Sequence, residues 1–548
     1  MNGRSPTFRS PGFPSGQSLL LLVVAVTVAR LLYVFFLCPF SLAEDEAQYW
    51  EWSRHLDWSY YTKGPGVAWA IGASTWVQRA LGLPLNEAWV RLPAVISGGV
   101  LAWAVGRCAL EAGGSSRAGL FAAGLVLLCP FYQIGALLMT IDPPYLACWA
   151  LACLGALRAL LGGSRPGWWL LGVAFACGFI FKYTMLLFLP GLLVFVLVYR
   201  KRLALARGWG IHAAIAAMVG ALGLVPVAVW NAQNDWGTIA HLLGHLGAPG
   251  GDLPKKPGGV RVNPMWTISF IGQQFMFAPA IIIAIWSVAG VVRGRMIVAM
   301  RGAGALLAWL GTPVAAFYLI VTLFTDGEGN WAASAYVSWF ALGGILVERE
   351  MSRHGERVRE WRAQPPPRKR AGFFRRSPES PVQVLWHATV GAGAFLAVGC
   401  VLLLPLSRLP GASEFMRAGR ITSAPAVADE VRELAARVSP SGEWQGALII
   451  AQHYGVAHQL AFYLPGHPTI YCTSSRMGGR KTQHDFWEQT DLRSPSLVGM
   501  NAVCLGATEE QWTHLFERVE PIGPLETSHK KDRLNFLCYG YKGLGGGE

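Results

Sequence analysis

Residues 44–65 read EDEAQYWEWSRHLDWSYYTKGP, from Glu44 to Pro65. This acidic and aromatic segment lies between two strongly apolar stretches. Neighbouring carboxylates beside a membrane are costly to keep ionised unless they face water, a cation or a charged substrate. We therefore expect the segment to form the catalytic edge of a membrane-embedded enzyme.

The rest of the chain has the composition of a polytopic membrane protein. Of its 548 residues, 53% are hydrophobic and 14% are charged, whereas soluble domains carry about a quarter charged residues. The net charge of +14 comes mostly from basic residues in short segments between apolar runs, which is typical of cytoplasmic loops. A nucleic-acid partner is therefore not expected.

Apolar runs predict an α-helical membrane domain with roughly eleven spans of about 20 residues each. The runs lie near residues 18–38, 88–110, 117–137, 143–161, 167–182, 185–200, 210–230, 271–292, 303–324, 331–347 and 385–407. The strongly basic loops then fall on one side of the membrane, and the 44–65 segment falls on the other, as the positive-inside rule requires.

Two stretches leave the topology open. Residues 66–81 are apolar but short, and Gln78 and Arg79 interrupt them, so we predict a helix that lies in the interface. If it spans instead, the 44–65 segment moves to the cytoplasm. Residues 167–200 are too long for one crossing, and we predict a hairpin that turns near Lys182 and Tyr183.

After Leu409 the sequence changes character and predicts a small α/β domain. An amphipathic helix at 427–438, a strand at 447–451, a helix at 456–463 and strands at 469–472 and 501–505 follow one another. We predict a membrane domain over residues 1–410 and an outer-face domain over residues 411–548.

Helical spacing within residues 44–56 gives an amphipathic pattern that suits the membrane surface. Asp45 and Glu46 fall in the first turn, where carboxylates favour the helix dipole, so a capping pair is one interpretation. The sequence Lys63-Gly64-Pro65 then brings a cation back to the same surface, which favours a functional role for the two carboxylates.

Other polar residues lie at the ends of predicted spans. Arg91 is either an interfacial snorkel or a phosphate ligand, and Asp142 is either an N-cap or a second carboxylate of the site. Glu328 and Asn330 are candidates to hydrogen-bond a sugar, while Trp331 suits an aromatic belt.

A metal site has weak support from the sequence. His241 and His245 have the i, i+4 spacing of a metal pair, but no clear third ligand lies nearby, so an interfacial helix is the alternative. No cysteine pair has metal-type spacing.

At these residues the chain resembles bacterial members of the dolichyl-phosphate-mannose protein mannosyltransferase (PMT-like) family. That family belongs to the GT-C membrane glycosyltransferases, together with the lipid A aminoarabinose transferases. The resemblance is carried in order by Asp45-Glu46-Ala47, Leu56-Asp57-Trp58, Lys63, Arg91-Leu92-Pro93, Asp142-Pro143-Pro144, Phe181-Lys182-Tyr183-Thr184, Trp230-Asn231, Asn330-Trp331, Leu464-Pro465-Gly466 and Asp485-Phe486-Trp487.

The resemblance implies an inverting glycosyltransferase that uses a polyprenyl-phosphate-linked sugar at the outer face of the bacterial inner membrane. The acceptor would be a protein hydroxyl, a lipid or a cell-envelope glycan. Implied roles are catalysis for Asp45, Glu46 and Asp142, with Asp45 leading; binding of the donor phosphate for Lys63 and Arg91; and a sugar or acceptor pocket for Tyr61, Glu328, Asn330 and Trp331.

Two alternatives stay open beside this expectation. The aminoarabinose transferases place an acidic residue before the lysine, whereas this chain has Thr62, so the resemblance leaves the involvement of a divalent metal ion undecided and gives no certain cofactor. The rival function is a polyprenyl-linked sugar flippase or transporter, in which intramembrane carboxylates relay protons. Few acidic residues lie in the middle of the predicted spans, and no inverted repeat is evident.

Overall fold

A computed structural model describes residues 16–245, 250–252, 262–296, 302–363, 380–406, 422–528 and 533–544. The helices of the membrane part are α1 Gln17–Phe36, α2 Glu44–Arg54, α3 Gly66–Ala80, α4 Glu87–Glu111, α5 Ser116–Leu128, α6 Pro130–Gly135, α7 Asp142–Leu160, α8 Arg165–Phe181, α9 Phe188–Tyr199, α10 Trp209–Leu222, α11 Val225–Gln233, α12 Gly237–His245, α13 Pro264–Gln273, α14 Ala280–Val292, α15 Ala303–Val321, α16 Ala333–Ala363 and α17 Pro381–Leu406.

A helix lies in every predicted span, but the helices differ in length. Among the described residues, six candidate spans are long and apolar enough to cross a membrane, namely α1, α4, α7, α10 with α11, α15 and α17. The α13 and α14 segments meet at a bend of 103° and would make a seventh. Helices α5, α8 and α9 are apolar but shorter, so the count of eleven remains a prediction.

The helix breaks where the hairpin was predicted to turn, near Lys182 and Tyr183, while the hairpin of two crossings remains a prediction. Helix α8 ends at Phe181, Lys182 takes an extended backbone conformation, and a 3-10 turn over Tyr183–Leu187 leads into α9. Helix α3 has 15 residues, fewer than a straight crossing needs; its place in the interface stays a prediction.

Small residues let the membrane helices approach closely. A Cβ atom at Gly191 would lie 2.2 Å from the Trp309 carbonyl oxygen, and one at Gly344 would lie 2.4 Å from the Ala122 nitrogen. Glycine at these positions therefore permits the contacts of α9 with α15 and of α16 with α5, which is how helices associate in lipid.

The C-terminal part contains a five-stranded sheet with the strand order β2-β1-β3-β5-β4. Its elements are α18 Ala424–Val438, β1 Leu448–Ala451, α19 Tyr454–Tyr463, β2 Tyr471–Cys472, β3 Ala502–Leu505, α20 Glu509–Thr513, β4 Phe516–Gly523 and β5 Asn535–Tyr541. Strands β2, β1 and β3 are parallel, and β5 and β4 are antiparallel. The predicted domain boundary at 410 lies outside the described residues.

The C-terminal sheet unit packs on α2 and shares a hydrophobic core with it. The Trp50 and Phe462 rings meet edge to face at 4.9 Å. The Tyr463 hydroxyl accepts a hydrogen bond from the Leu42 N–H at 2.7 Å and donates to Glu87 Oε1 at 2.8 Å. The 44–65 segment and the C-terminal unit therefore lie at the same end of the helix bundle.

Candidate active site

The first turn of α2 carries Glu44, Asp45 and Glu46, where the N-terminal helix dipole favours negative charge. Successive residues of a helix point about 100° apart around its axis. Asp45 is consequently exposed, whereas Glu46 is completely buried. Two adjacent carboxylates thus have different environments.

Glu46 forms a buried ion pair with Arg91, with Arg91 Nη2 2.7 Å from Glu46 Oε2. The other Glu46 oxygen accepts bonds from Arg91 Nε and the Met139 N–H, each at 2.9 Å. Arg91 also donates to the carbonyls of Phe40 and Ser41, each at 2.9 Å, and to Cys38 Sγ at 3.4 Å.

These contacts use all five N–H donors of the Arg91 guanidinium. Arg91 is 1% exposed, so no donor remains for a lipid phosphate in this arrangement. The structure therefore differs from the expectation that Arg91 binds the donor phosphate and that Glu46 takes part in catalysis. The pair instead ties the start of α2 to α4 and to Met139.

Asp45 and Lys63 lie close enough for each charge to act on the pKa of the other. Protein surrounds the Asp45 carboxylate on most sides although water reaches it, and this burial raises its pKa above the usual range; Glu44 and Glu328 add to the rise, while Lys63 and Arg480 oppose it. Burial also lowers the pKa of Lys63, as does the nearby Lys182.

Lys63 is held by its backbone rather than by an ion pair. Its carbonyl accepts hydrogen bonds from the Ser59 hydroxyl and the Tyr60 N–H, both at 3.2 Å. Within the described ranges its ammonium has no carboxylate partner within 4.0 Å. The next residue, Gly64, lies so close to α8 that a Cβ atom would be 2.3 Å from the Ile180 carbonyl oxygen.

A second carboxylate, Asp142, lies at the start of α7 and is paired. Lys182 Nζ is 2.7 Å from Asp142 Oδ1, and Asn330 Nδ2 donates to Asp142 Oδ2 at 2.9 Å. Asp142 affects the pKa of Lys63, which indicates that this cluster adjoins the Asp45 site. The buried Asn330 Oδ1 has no hydrogen-bond partner among the described residues.

Lys182 was not among the predicted site residues. Its sequence signal was its position at the break between α8 and α9, but its partner Asp142 is known only from the tertiary contact.

The remaining predicted pocket residues have separate positions. Glu328 is exposed and acts on Asp45. Trp331 packs against the Tyr318 ring at 5.7 Å. Tyr61 is buried, stacks on Phe486 at 5.2 Å, and donates its hydroxyl to Asp252. Tyr61 and Trp331 therefore contact other protein side chains and help to hold the site in place.

The described residues do not fit a divalent metal ion. His241 Nδ1 lies 3.6 Å from Asp252, and the His245 side chain lies outside the described part. No group of three or more His, Cys, Asp or Glu side chains in the described ranges is arranged to hold a metal, and Thr62 adds no carboxylate beside Lys63.

A segment of the C-terminal unit, residues 473–487, closes over the 44–65 segment. The Gln483 side-chain oxygen accepts a bond from the Tyr61 N–H at 2.8 Å, and Phe486 covers the Tyr61 ring. We call residues 473–487 the strap. Asp485 and Phe486 carry part of the resemblance, but no pattern in the sequence predicts a role for the strap.

Comparisons with known proteins agree with this architecture. The family model "Dolichyl-phosphate-mannose-protein mannosyltransferase" matches residues 62–230. A lipid A galacturonosyltransferase from Rhizobium johnstonii is 27% identical over 337 residues, which are 61% of this chain and 66% of the relative, just under two thirds of its length.

Solved structures of ArnT from Cupriavidus metallidurans have a similar fold. The apo structure has a TM-score of 0.59 at 16% identity, and the structure bound to undecaprenyl phosphate has a TM-score of 0.56 at 15% identity; each match covers 95% of this chain and 98% of that chain. The predicted resemblance to the GT-C glycosyltransferases is confirmed.

Proposed function

We propose that this chain, which shares the fold of the GT-C membrane glycosyltransferases, is an inverting transferase that moves a sugar from a polyprenyl-phosphate donor to an acceptor. The acceptor is a protein hydroxyl, a lipid or a cell-envelope glycan. The observation that carries the proposal is the exposed Asp45 carboxylate close to Lys63, whose ammonium has no carboxylate within 4.0 Å among the described residues, with the Asp142–Lys182 pair nearby.

The transfer breaks one bond and forms another. An acceptor oxygen attacks C1 of the sugar from the face opposite the phosphate, and the C1–O bond to the phosphate breaks, with its electron pair passing to the phosphate oxygen. Asp45 takes the proton of an acceptor hydroxyl, and a raised pKa suits such a base. If the acceptor is already anionic, Asp45 orients it instead. Lys63 neutralises the leaving phosphate, whose charge grows in the transition state.

The residues that form ion pairs hold the catalytic residues in position. The Glu46–Arg91 pair fixes the start of α2 and thereby the direction of Asp45. Lys182 and Asn330 hold Asp142 beside the site. Glu328 is the exposed pocket carboxylate.

We place this site at the outer face of the bacterial inner membrane. Two arguments support the placement. The spans predicted from the sequence put the basic loops on the opposite side of the membrane, and the C-terminal unit packs on the 44–65 segment. A donor linked to a lipid lets the reaction proceed where nucleotide sugars are absent.

The test supplies membranes that contain the chain with a radiolabelled polyprenyl-phosphate sugar. Transfer of label to an acceptor supports the transferase, whereas label that only changes leaflet supports the flippase. We expect Asp45→Asn to abolish transfer while expression stays normal, because the amide cannot accept the proton. Activity of the Asp45→Asn variant within a few fold of the wild type would refute the role of Asp45.

A further inference from the structure

The proposed site has one cation fewer for the lipid phosphate than the sequence predicts. Lys63 and Arg91 were expected to neutralise the lipid phosphate together, yet Arg91 uses all its donors within the protein. A phosphate is bound well by a guanidinium, because two parallel N–H groups match two of its oxygens. An arginine with unused donors beside Lys63 would supply this contact.

Arg480, in the strap, meets this requirement. Its Nη2 donates to the Tyr454 hydroxyl at 3.0 Å, and its guanidinium carbon lies 5.1 Å from the centre of the Tyr454 ring. This is its single hydrogen bond among the described residues, so four of its five N–H donors remain for a ligand. Arg480 is partly exposed, unlike Arg91.

Tyr454 brings Arg480 to the start of α2. Tyr454 begins α19, and the residue after it, Gly455, is so close to Glu44 that a Cβ atom would lie 2.6 Å from Glu44 Oε2. Glu44 directly precedes Asp45. Arg480 acts on the pKa of both Asp45 and Lys63, although it forms no ion pair within 4.0 Å with a carboxylate of the described ranges.

The strap that carries Arg480 is fixed at both sides of this residue. On one side, the Ser474 hydroxyl donates to the Arg480 carbonyl at 3.1 Å. On the other side, Thr482 and Asp485 form a capping box, and Gln483 binds the Tyr61 backbone two residues before Lys63. The backbone of Arg480 is therefore held close to the segment that carries Lys63.

We propose that Arg480 is the second cation that binds the lipid phosphate of the donor, so that the C-terminal unit completes the active site of the membrane domain. This inference rests on the proposed function. Tyr454 and Gln483 bring the strap to the segment that carries Asp45 and Lys63. A phosphate that contacts both cations receives one point charge from the Lys63 ammonium and a directional fork from the Arg480 guanidinium.

The charge change during transfer explains why two cations are needed. The donor phosphate is a diester with a single negative charge. When its bond to C1 breaks, it becomes a monoester, which carries a charge of about −1.5 to −2 at pH 7. Fixed donors that contact the extra charge stabilise the transition state more than the ground state. Arg480 therefore acts on the rate of transfer as well as on binding.

The test measures binding of undecaprenyl phosphate to the full-length chain in lipid nanodiscs, with undecaprenol as the uncharged probe. We expect Arg480→Gln to weaken binding of undecaprenyl phosphate about 10- to 100-fold and to leave undecaprenol binding unchanged. Arg480→Lys should restore part of the affinity. Lys481→Gln, which removes an exposed neighbouring cation, is the matched control and should bind as the wild type does.

A second variant does not depend on the arginine itself. Tyr454→Phe keeps the ring but removes the hydroxyl that orients Arg480, and we expect a smaller loss of the same kind. If wild type binds undecaprenyl phosphate and Arg480→Gln binds it equally, the inference is overturned while the proposed function stands. An equal loss for undecaprenol would also overturn it. Failure of the wild type to bind the phosphate would instead contradict the proposed function.

Discussion

The substitution Glu46→Gln tests whether Glu46, at the start of α2, has a structural or a catalytic role. Glu46 and Asp45 are adjacent carboxylates, and the sequence resemblance assigns catalysis to both. The structure gives Glu46 four hydrogen bonds or ion-pair contacts, from Arg91, Ala43 and Met139, and no contact with solvent. The substitution keeps the side-chain shape but removes the charge that balances Arg91.

The size of the effect follows from the buried guanidinium. Removing one partner of a buried ion pair destabilises a protein by about 3–5 kcal/mol, because the other charge is left without compensation. Arg91 is 1% exposed, so water cannot replace the lost carboxylate without local opening. The glutamine oxygen still accepts one bond from Arg91 or Met139, which places the expected loss near the lower end of that range.

The assay is thermal unfolding of the purified full-length protein, with polyprenyl-phosphate sugar transfer measured on the same samples. Asp45→Asn is the matched control: its side chain is exposed, and we expect a stability change within about 0.5 kcal/mol together with loss of transfer. Arg91→Met combined with Glu46→Gln should cost less than the sum of the two single changes, because neither charge is then left alone.

One result would refute this reasoning. If Glu46→Gln unfolds at the wild-type temperature and loses transfer as completely as Asp45→Asn does, Glu46 takes part in the chemistry and the Glu46–Arg91 pair is not primarily structural.

Three further predictions follow from the same structure. Lys63→Met should lower transfer about 10²- to 10³-fold with little change in the unfolding temperature, since its ammonium has no ion pair within the described ranges; a large loss of stability would contradict this. Burial lowers the pKa of His484 to about 4, with Glu51 and Asp485 opposing and His55 adding to the decrease. The unfolded chain therefore binds the proton first, and stability contributed by neutral His484 should fall by roughly 3 kcal/mol as pH drops from about 6.5 to 4; His484→Phe should flatten that pH dependence of thermal unfolding, and an unchanged slope would exclude His484 as its source. A reporter fused after Leu409 should lie outside, and a cytoplasmic signal would mean that the predicted spans are off by one.

The sequence determined the features that depend on local pattern. Apolar runs gave the helical membrane class, because the bilayer sets the length of every crossing. The acidic first turn of α2 and the break at Lys182 were also predictable, since dipole preference and hydrophobic periodicity act over a few residues. Strands β1 and β3 were predicted because they are continuous apolar runs bounded by polar residues.

Strands β4 and β5 were not predicted. Strand β4 is an edge strand whose sequence FERVEPIG contains Pro521 and many charges, and such edges carry weak patterns. A strand of this kind is recognised by its pairing with β5, which no local rule supplies.

Only the tertiary structure decided which of the charged residues work together. Asp45 and Glu46 have the same local signal, and what distinguishes them is that Glu46 meets Arg91, 45 positions along the chain. The bond between Tyr61 and Gln483 joins residues 422 positions apart, and it brings Arg480 to the site. Charges have no periodicity that reveals a distant partner, and the cost of burying them unpaired is what selects the partner in the folded chain.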